Sequence, residues 1–449
     1  AHLRGTAAND PGVGAGFGLG PRLRCQDTDQ GQAMSHEAPM RITLVVGGRW
    51  HAFDLARELH HHGHLHRLIT NYPRWFVRRW GIPPERVVSL PFTFAVVRAI
   101  YRFGGESLMM RCQWWVHRWF ATRAAKHLQG SQVIHGWSQW SEPSLNWAAA
   151  RQVPTVLERS SSHILEQSRL LREEHRRFGL TWSETHPRIE AMELREYGLT
   201  TAVAVPSLFV ERSFLARGFP PNKIFRNAFG VDLSNFKPAE TLPAPPTQSG
   251  LHVVYAGTLS VRKGIADLLA GFAAADLADA RLTLLGGETP ELAKLLDQQP
   301  STVQRLGHRP QSELVHTYNQ AHCFVMASIE EGMAYVQIQA LASGLPLICT
   351  PNTGGEDLLR LGGATGLDDG NGILEFPAGW LVPIHAPQAI AHCLKRLAKE
   401  PGLWETKRQA ALALAGSSLS WSAYGQRAIS HYRRLLAATQ NAGQEADPS

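Results

Sequence analysis

The chain lacks several things that would assign it quickly. No uninterrupted apolar run approaches the ~20 residues that a membrane-spanning helix needs, although 44% of the 449 residues are hydrophobic. The five cysteines, Cys25, Cys112, Cys323, Cys349 and Cys393, are odd in number, widely spaced and form no C-x-x-C. That pattern argues against a disulfide framework or a zinc site and for a reduced, cytoplasmic protein. The first strand is followed by Gly47-Gly48 but by no G-x-G-x-x-G, so a dinucleotide cofactor has little support. No paired carboxylates stand out as the nucleophile and acid/base of a hydrolase. No metal-ligating motif is visible, and no divalent ion is required where cations are already in place. Residues 1–39 carry Gly, Pro and charge without an apolar period or a continuous secretory core, and are expected to be a disordered lead outside the fold.

What remains is a globular composition, 18% charged, long enough for two domains and basic at +7 with histidine neutral. A positive balance suits an anionic ligand, an acidic membrane surface or nucleic acid. Met40 to Val46 reads as a buried strand and Ala52 to His62 as an amphipathic helix, the opening βα unit of a doubly wound sheet. Further strands are expected at Leu65 to Thr70, Val133 to His135, Thr155 to Glu158 and Thr201 to Pro206, with helices at Arg159 to Phe178 and Pro187 to Tyr197. Phe236 to Gly250 is proline-rich and aperiodic, the expected linker. The βα alternation then restarts at His252 to Ala256. The expected organisation is an N-terminal domain over 40–235, a linker over 236–250, a C-terminal domain over 251–400, helices over 401–436 and a disordered tail over 437–449. Gly362 to Phe376 is rich in glycine and acid and reads as a loop.

The most informative segment is Ser328 to Asp357. Glu330, Glu331 and Gly332 precede a helix-length apolar run that Gly344 stops and Pro346 forbids from continuing. Leu345 to Cys349 is then a short strand, and Asn352 to Gly355 a glycine turn. A carboxylate and a glycine are thus placed at a helix N-terminus, where amides and dipole favour an anion. A carboxylate there conflicts with the anion unless it serves something else, such as sugar hydroxyls. The second segment is Tyr255 to Gly264, where Arg262 and Lys263 lie on a loop at the carboxyl edge of a sheet, placed to offset a diphosphate or simply solvated. The third is Asn227 to Phe236, with Asn227, Gly230, Val231 and Asp232 at the domain junction.

These three segments, in this order, resemble glycosyltransferase family 4, the retaining transferases of the GT-B fold. Glu331, Gly332, Gly344 and Pro346 fall on the C-terminal signature, and Lys263 and Gly264 on the phosphate loop. Gln339 stands where the family has a second glutamate that reaches the ribose, and Thr258 where it has an arginine, a charge that Arg262 would then supply. The resemblance implies two Rossmann-like domains facing across a cleft, and a last helix crossing back to the N-terminal domain. It implies transfer of a sugar from a UDP-, GDP- or ADP-sugar to an acceptor hydroxyl, with no further cofactor, possible roles in cell-surface polysaccharide or glycolipid synthesis, and retention without an enzyme nucleophile. Lys263, Arg262 and the amides after Gly332 would hold the diphosphate. Glu331 would hold sugar hydroxyls, Gln339 the ribose, and Gly48 would let the backbone approach the diphosphate from the other domain. His163, after the strand Thr155 to Glu158, is the candidate to orient or deprotonate the acceptor, or else a helix cap; His135 is a similar candidate. The alternatives are a GT-B binding module without turnover, and an epimerase or phosphorylase of the same fold.

Between Pro73 and His127, Trp75, Trp80, Trp114, Trp115 and Trp119 are interleaved with Arg74, Arg78, Arg79, Arg111 and Arg118. The pairing suits a membrane interface or a lipid-linked acceptor saccharide, single-stranded nucleic acid, or buried tryptophans under a solvated basic face; nucleic acid is not the expected partner. The cluster His60, His61, His62, His64 and His66 resembles a metal tract but straddles a helix end, and reads as solvated surface.

Overall fold

A computed structural model describes residues 38–181, 185–415 and 419–445. The expected lead falls almost wholly outside them. The N-terminal domain is built on strands β1 (Ile42–Val46), β2 (Leu65–Thr70), β3 (Val87–Ser89), β4 (Val133–Trp137), β5 (Thr155–Glu158), β6 (Ala202–Val205) and β7 (Ile224–Arg226). They pair in parallel in the order β3-β2-β1-β4-β5-β6-β7. Every residue of β1, β4, β5 and β6 is buried, as expected of a parallel sheet covered on both faces.

The C-terminal domain contains β8 (His252–Ala256), β9 (Arg281–Leu285), β10 (Val303–Gly307), β11 (Cys323–Met326), β12 (Leu347–Cys349), β13 (Leu367–Asp368), β14 (Leu374–Phe376) and β15 (Gly379–Leu381), in the order β10-β9-β8-β11-β12-β15-β14-β13. The last three are antiparallel neighbours, so the expected loop over 362–376 in fact adds two strands to the sheet edge. Both sheets have a point where consecutive growth switches from one side to the other, at β1/β4 and at β8/β11. In such sheets the loops leaving the two strands at that point splay apart and leave a ligand crevice. The two cationic and acidic segments singled out in the sequence are the loops leaving β8 and β11.

The helix Trp421–Glu445 lies on the N-terminal domain, and continues beyond residue 436 through part of the expected disordered tail. Tyr432 Oη is 2.6 Å from His135 Nδ1, and Arg427 Nε donates to Asn227 Oδ1 at 2.7 Å. Gly230 passes so close to this helix that a Cβ would sit 2.5 Å from the Trp421 backbone. Asn227 and Gly230 therefore seat the returning helix at the junction.

Candidate functional site

Gly264 closes the loop after β8 in the left-handed conformation, φ 64°, and a Cβ there would lie 1.9 Å from Ala327 O. Only glycine permits this approach, which presses the turn Val261–Lys263 against the loop after β11. Arg262 and Lys263 are thereby set beside Glu330 and Glu331. Arg262 Nη2 is 2.8 Å from Glu330 Oε2, and its Nε donates to the Glu330 carbonyl at 3.0 Å. Lys263 Nζ is ion-paired with Glu331, both partly buried. Burial pulls Lys263 down to about 7, the Arg262 charge adds to this, and Glu330 opposes it.

The N-terminal domain meets these loops directly. The helix after β5 starts at Ile164 rather than Arg159, because Arg159 to His163 is committed to other partners. Ser162 donates from its N at 3.0 Å and from its Oγ at 2.7 Å to Glu330 Oε1, and Gln167 Nε2 donates to Oε2 at 3.2 Å. Arg159 reaches Ser162 O, Gln167 and Glu193. Glu330 is fully buried; burial alone would raise its pKa, but Arg262, the two Ser162 bonds and Arg159 hold it below the ordinary value. Sequence reasoning quoted Glu330 and gave it no role. Its partner Ser162 lies 168 positions away in the other domain, so no local pattern marks it.

At Gly332 the backbones of the two domains come close together. A Cβ would fall 1.6 Å from Ser160 O, and its carbonyl accepts from Ser207 Oγ at 2.7 Å. The helix expected to begin beside Glu331 and Gly332 instead begins at Tyr335, with Ala334 extended before it. The cause is the turn after β12: Ala334 N bonds to Thr353 O, and Gln337 Nε2 donates to the same carbonyl at 2.8 Å. The helix N-terminus expected directly at Gly332 therefore lies at Tyr335 instead. Gln339 is partly buried on this helix. Asp357, in the same region, receives Leu208 N of the N-terminal domain at 2.9 Å, and Glu356 pairs with Arg212 at 2.7 Å.

Gly48 lies in the bend leaving β1, at the carboxyl edge of the N-terminal sheet, where the atoms nearest to an added Cβ are those of the Trp50 side chain. His163 is the N-cap of the helix Ile164–Arg177: its Nδ1 accepts from Leu165 N at 3.2 Å, and its ring packs against Tyr197 and Phe214. Burial pushes its pKa down to about 4. This is the placement of the helix-cap alternative. His135 is buried between Tyr432 and Glu158, its Nε2 3.1 Å from Glu158 Oε2, while His51 Nε2 lies 3.2 Å from Glu158 Oε1. Burial would raise Glu158; the two histidines hold it down to about 2. Of the histidine tract, His64 is buried and accepts from Met40 N at 3.1 Å, so it is not surface.

Among the described residues one group of ligand-type side chains comes together without a sequence motif: Glu174, Asp267 and His385. Arg177 already occupies its centre, 2.7 Å from Asp267 and 2.6 Å from His385 Nδ1. A guanidinium in that position makes the group an ion-pair network between the domains.

Two family models match the chain, "Glycosyltransferase Family 4" over residues 45–235 and "Glycosyl transferases group 1" over residues 250–400. A GDP-mannose-dependent alpha-mannosyltransferase of Mycobacterium tuberculosis is 30% identical over 248 residues, 53% of this chain and 57% of that protein. A D-inositol 3-phosphate glycosyltransferase of Thermobifida fusca is 30% identical over 128 residues, 28% of this chain and 26% of that protein. The chain thus spans about half of one curated relative and a quarter of the other. Among solved structures, sucrose-phosphate synthase from Thermosynechococcus elongatus superposes with a TM-score of 0.62 at 20% identity, covering 89% of this chain and all of that one. Anabaena HepE in complex with UDP superposes at 0.60 and 14% identity, covering 88% and 100%. At these identities the structural likeness speaks for the fold.

Proposed function

Because the chain belongs to the family 4, group 1 glycosyltransferases and has their GT-B fold, we propose that it transfers a sugar from a nucleotide-sugar to an acceptor hydroxyl with retention at the anomeric carbon. The observation that carries this reading is the Lys263–Glu331 pair beside Arg262 and Glu330, at the switch point of the C-terminal sheet. A diphosphate entering there competes with carboxylates for the two cations. Glu330 is anchored by the other domain and stays with Arg262, which shares its charge. Lys263 exchanges Glu331 for the diphosphate, and Glu331 is released to the sugar hydroxyls. Binding the donor therefore creates the sugar site.

When the anomeric C–O bond breaks, its electron pair leaves with the diphosphate, and Lys263 and Arg262 stabilise that charge. Attack from the same face brings the acceptor hydroxyl next to the departing oxygen, which can take its proton. That arrangement needs no enzymic base, in keeping with a His163 that caps a helix and has a weakly basic ring. Gly48 and the Ser160–His163 loop form the opposite wall, and Gln339 holds the ribose with an amide in place of a carboxylate. The relative's printed name makes GDP-sugars the first donors to try, before UDP- and ADP-sugars. The acceptor is a saccharide or lipid-linked saccharide, with peripheral contact at the inner membrane face.

The test is release of nucleoside diphosphate against a panel of GDP-, UDP- and ADP-sugars with saccharide acceptors. Acceptor-dependent release from one donor supports the reading. Tight donor binding with no release under any acceptor overturns it in favour of a binding module, the reading that Thr258 and Gln339 favour.

A further inference from the structure

Among the described residues ten large hydrophobic side chains are exposed, and six of them lie between positions 75 and 115. These six include every aromatic of the ten: Trp75, Phe92, Tyr101, Phe103 and Trp115, with Phe103 88% exposed. The same stretch concentrates the charge. From Pro73 to His127 there are ten Arg and Lys and only two acids, Glu85 and Glu106, a net of +8, whereas the whole chain carries +7. The remainder of the protein is therefore close to neutral, and this segment holds its positive field.

Most of the segment is one helix, Pro91–Ala124, broken at Gly105, which takes φ 62° and ψ −163°. The two halves differ. After the break, Met109, Val116, Phe120 and Ala124 are buried against the domain, while Leu108, Arg111, Trp115, Arg118 and Thr122 are exposed. Their spacing of three and four places them in a single stripe alternating apolar and cationic side chains. Before the break, PFTFAVVRAIYRFG contains two arginines and no acid, and only Thr93 is buried. An apolar helix that the fold barely covers calls for a cover. Fourteen helical residues reach about 21 Å, short of the ~30 Å hydrocarbon core, so this half can lie in an interface but not cross it. A shallow depression of about 510 Å³ between Trp114, Trp115, Trp119, Arg118, Arg123 and Lys126 opens on the same helix. Arg123 stacks over Trp119 at 3.9 Å there, leaving cation and ring side by side as an anionic headgroup over acyl chain requires.

We propose that the helix Pro91–Ala124, with Trp75 beside it in sequence, is a membrane-docking face for an anionic phospholipid surface, with the half before Gly105 lying in the interface. The inference stands on this surface alone and is independent of whether the cleft transfers sugar.

The test is co-sedimentation of the whole chain with vesicles of phosphatidylcholine, with and without phosphatidylglycerol. Binding should require phosphatidylglycerol, weaken with salt and resist competition by free glycerol phosphate. R102S/R111S, at two exposed positions, should weaken it by roughly five-fold for each arginine. F103S should weaken it several-fold without altering salt sensitivity. Both variants should keep the wild-type circular dichroism spectrum and nucleotide affinity. Equal binding to neutral and anionic vesicles, or unaltered binding in both variants, overturns the proposal. So does a wild-type dimer in light scattering that F103S converts to monomer, which assigns the face to a second copy, or single-stranded RNA that displaces the vesicles.

Discussion

Replacing Gly332 by alanine isolates the contact between the domains. The added Cβ would sit 1.6 Å from Ser160 O, where an unstrained carbon–oxygen contact is about 3.3 Å, so the two backbones must part by about 1.7 Å. At that separation the bonds from Ser162 N and Ser162 Oγ to Glu330, now 3.0 and 2.7 Å, and from Ser207 Oγ to Gly332 O, now 2.7 Å, all exceed 4 Å. Two of the three bonds go to a buried carboxylate. At about 1.5–3 kcal/mol for each charged bond and about 0.5–1.5 for the neutral one, the joined arrangement loses about 3.5–7.5 kcal/mol. If transfer proceeds only from that arrangement, kcat/KM falls by at least ~100-fold. Nucleoside diphosphate affinity should change little, since Arg262 and Lys263 belong to one domain. Gly287, where a Cβ meets nothing within 4 Å, is the control: Gly287→Ala should behave as wild type. Steady-state kinetics and calorimetry with the diphosphate separate the two quantities. Gly332→Ala turning over within two-fold of wild type would refute the reasoning.

Lys263→Ala should slow transfer by ~100-fold or more, the loss expected for one preorganised charge partner, and equal turnover would remove Lys263 from the site. Gln339→Leu should weaken donor binding by about 1–3 kcal/mol through an unsatisfied ribose hydroxyl, while Gln339→Glu preserves or tightens it; unchanged affinity in the leucine variant would mean that Gln339 only packs. Acid should destabilise the fold through its buried histidines. Burial lowers His163, His252 and His322 to about 4 and His117 to about 3. Below their unfolded value near 6.5 the unfolded chain binds protons that the folded chain refuses, so stability present above 6.5 is lost as pH falls towards 4, on the order of 1–3 kcal/mol for each group. Tm measured from pH 6.5 to 4 should fall steadily, and a flat profile would contradict this.

The strands legible in the sequence, such as Thr155–Glu158 and His252–Ala256, are short runs that the structure buries completely. Several of those not expected from sequence are short edge elements. Val87–Ser89, Ile224–Arg226 and Leu367–Asp368 owe their conformation to a neighbouring strand and carry no period of their own. The long helix Pro91–Ala124 was legible only as a run of tryptophan and arginine, because Gly104-Gly105 interrupts it and its first half lacks a polar face. At the site, the glycines and the Arg262-Lys263 pair could be read locally, since turn chemistry and charge belong to the residue itself. What Glu330 does could not, since Ser162 and Gln167 reach it from the other domain. For the same reason the helix expected from Arg159 begins only at Ile164: Ser162 is held by Glu330, and Arg159 by Ser162 O, Gln167 and Glu193.

The most direct test of the whole account is Glu331→Gln, measured as kcat and as donor affinity in parallel. The substitution keeps size and most hydrogen bonding but removes the charge that pairs with Lys263 in the free chain and would support a cationic sugar in the transition state. Donor and diphosphate affinity should hold or rise slightly, because Lys263 no longer has to leave a carboxylate, while kcat falls steeply. Normal turnover in Glu331→Gln, or a loss confined to donor binding, would contradict the account.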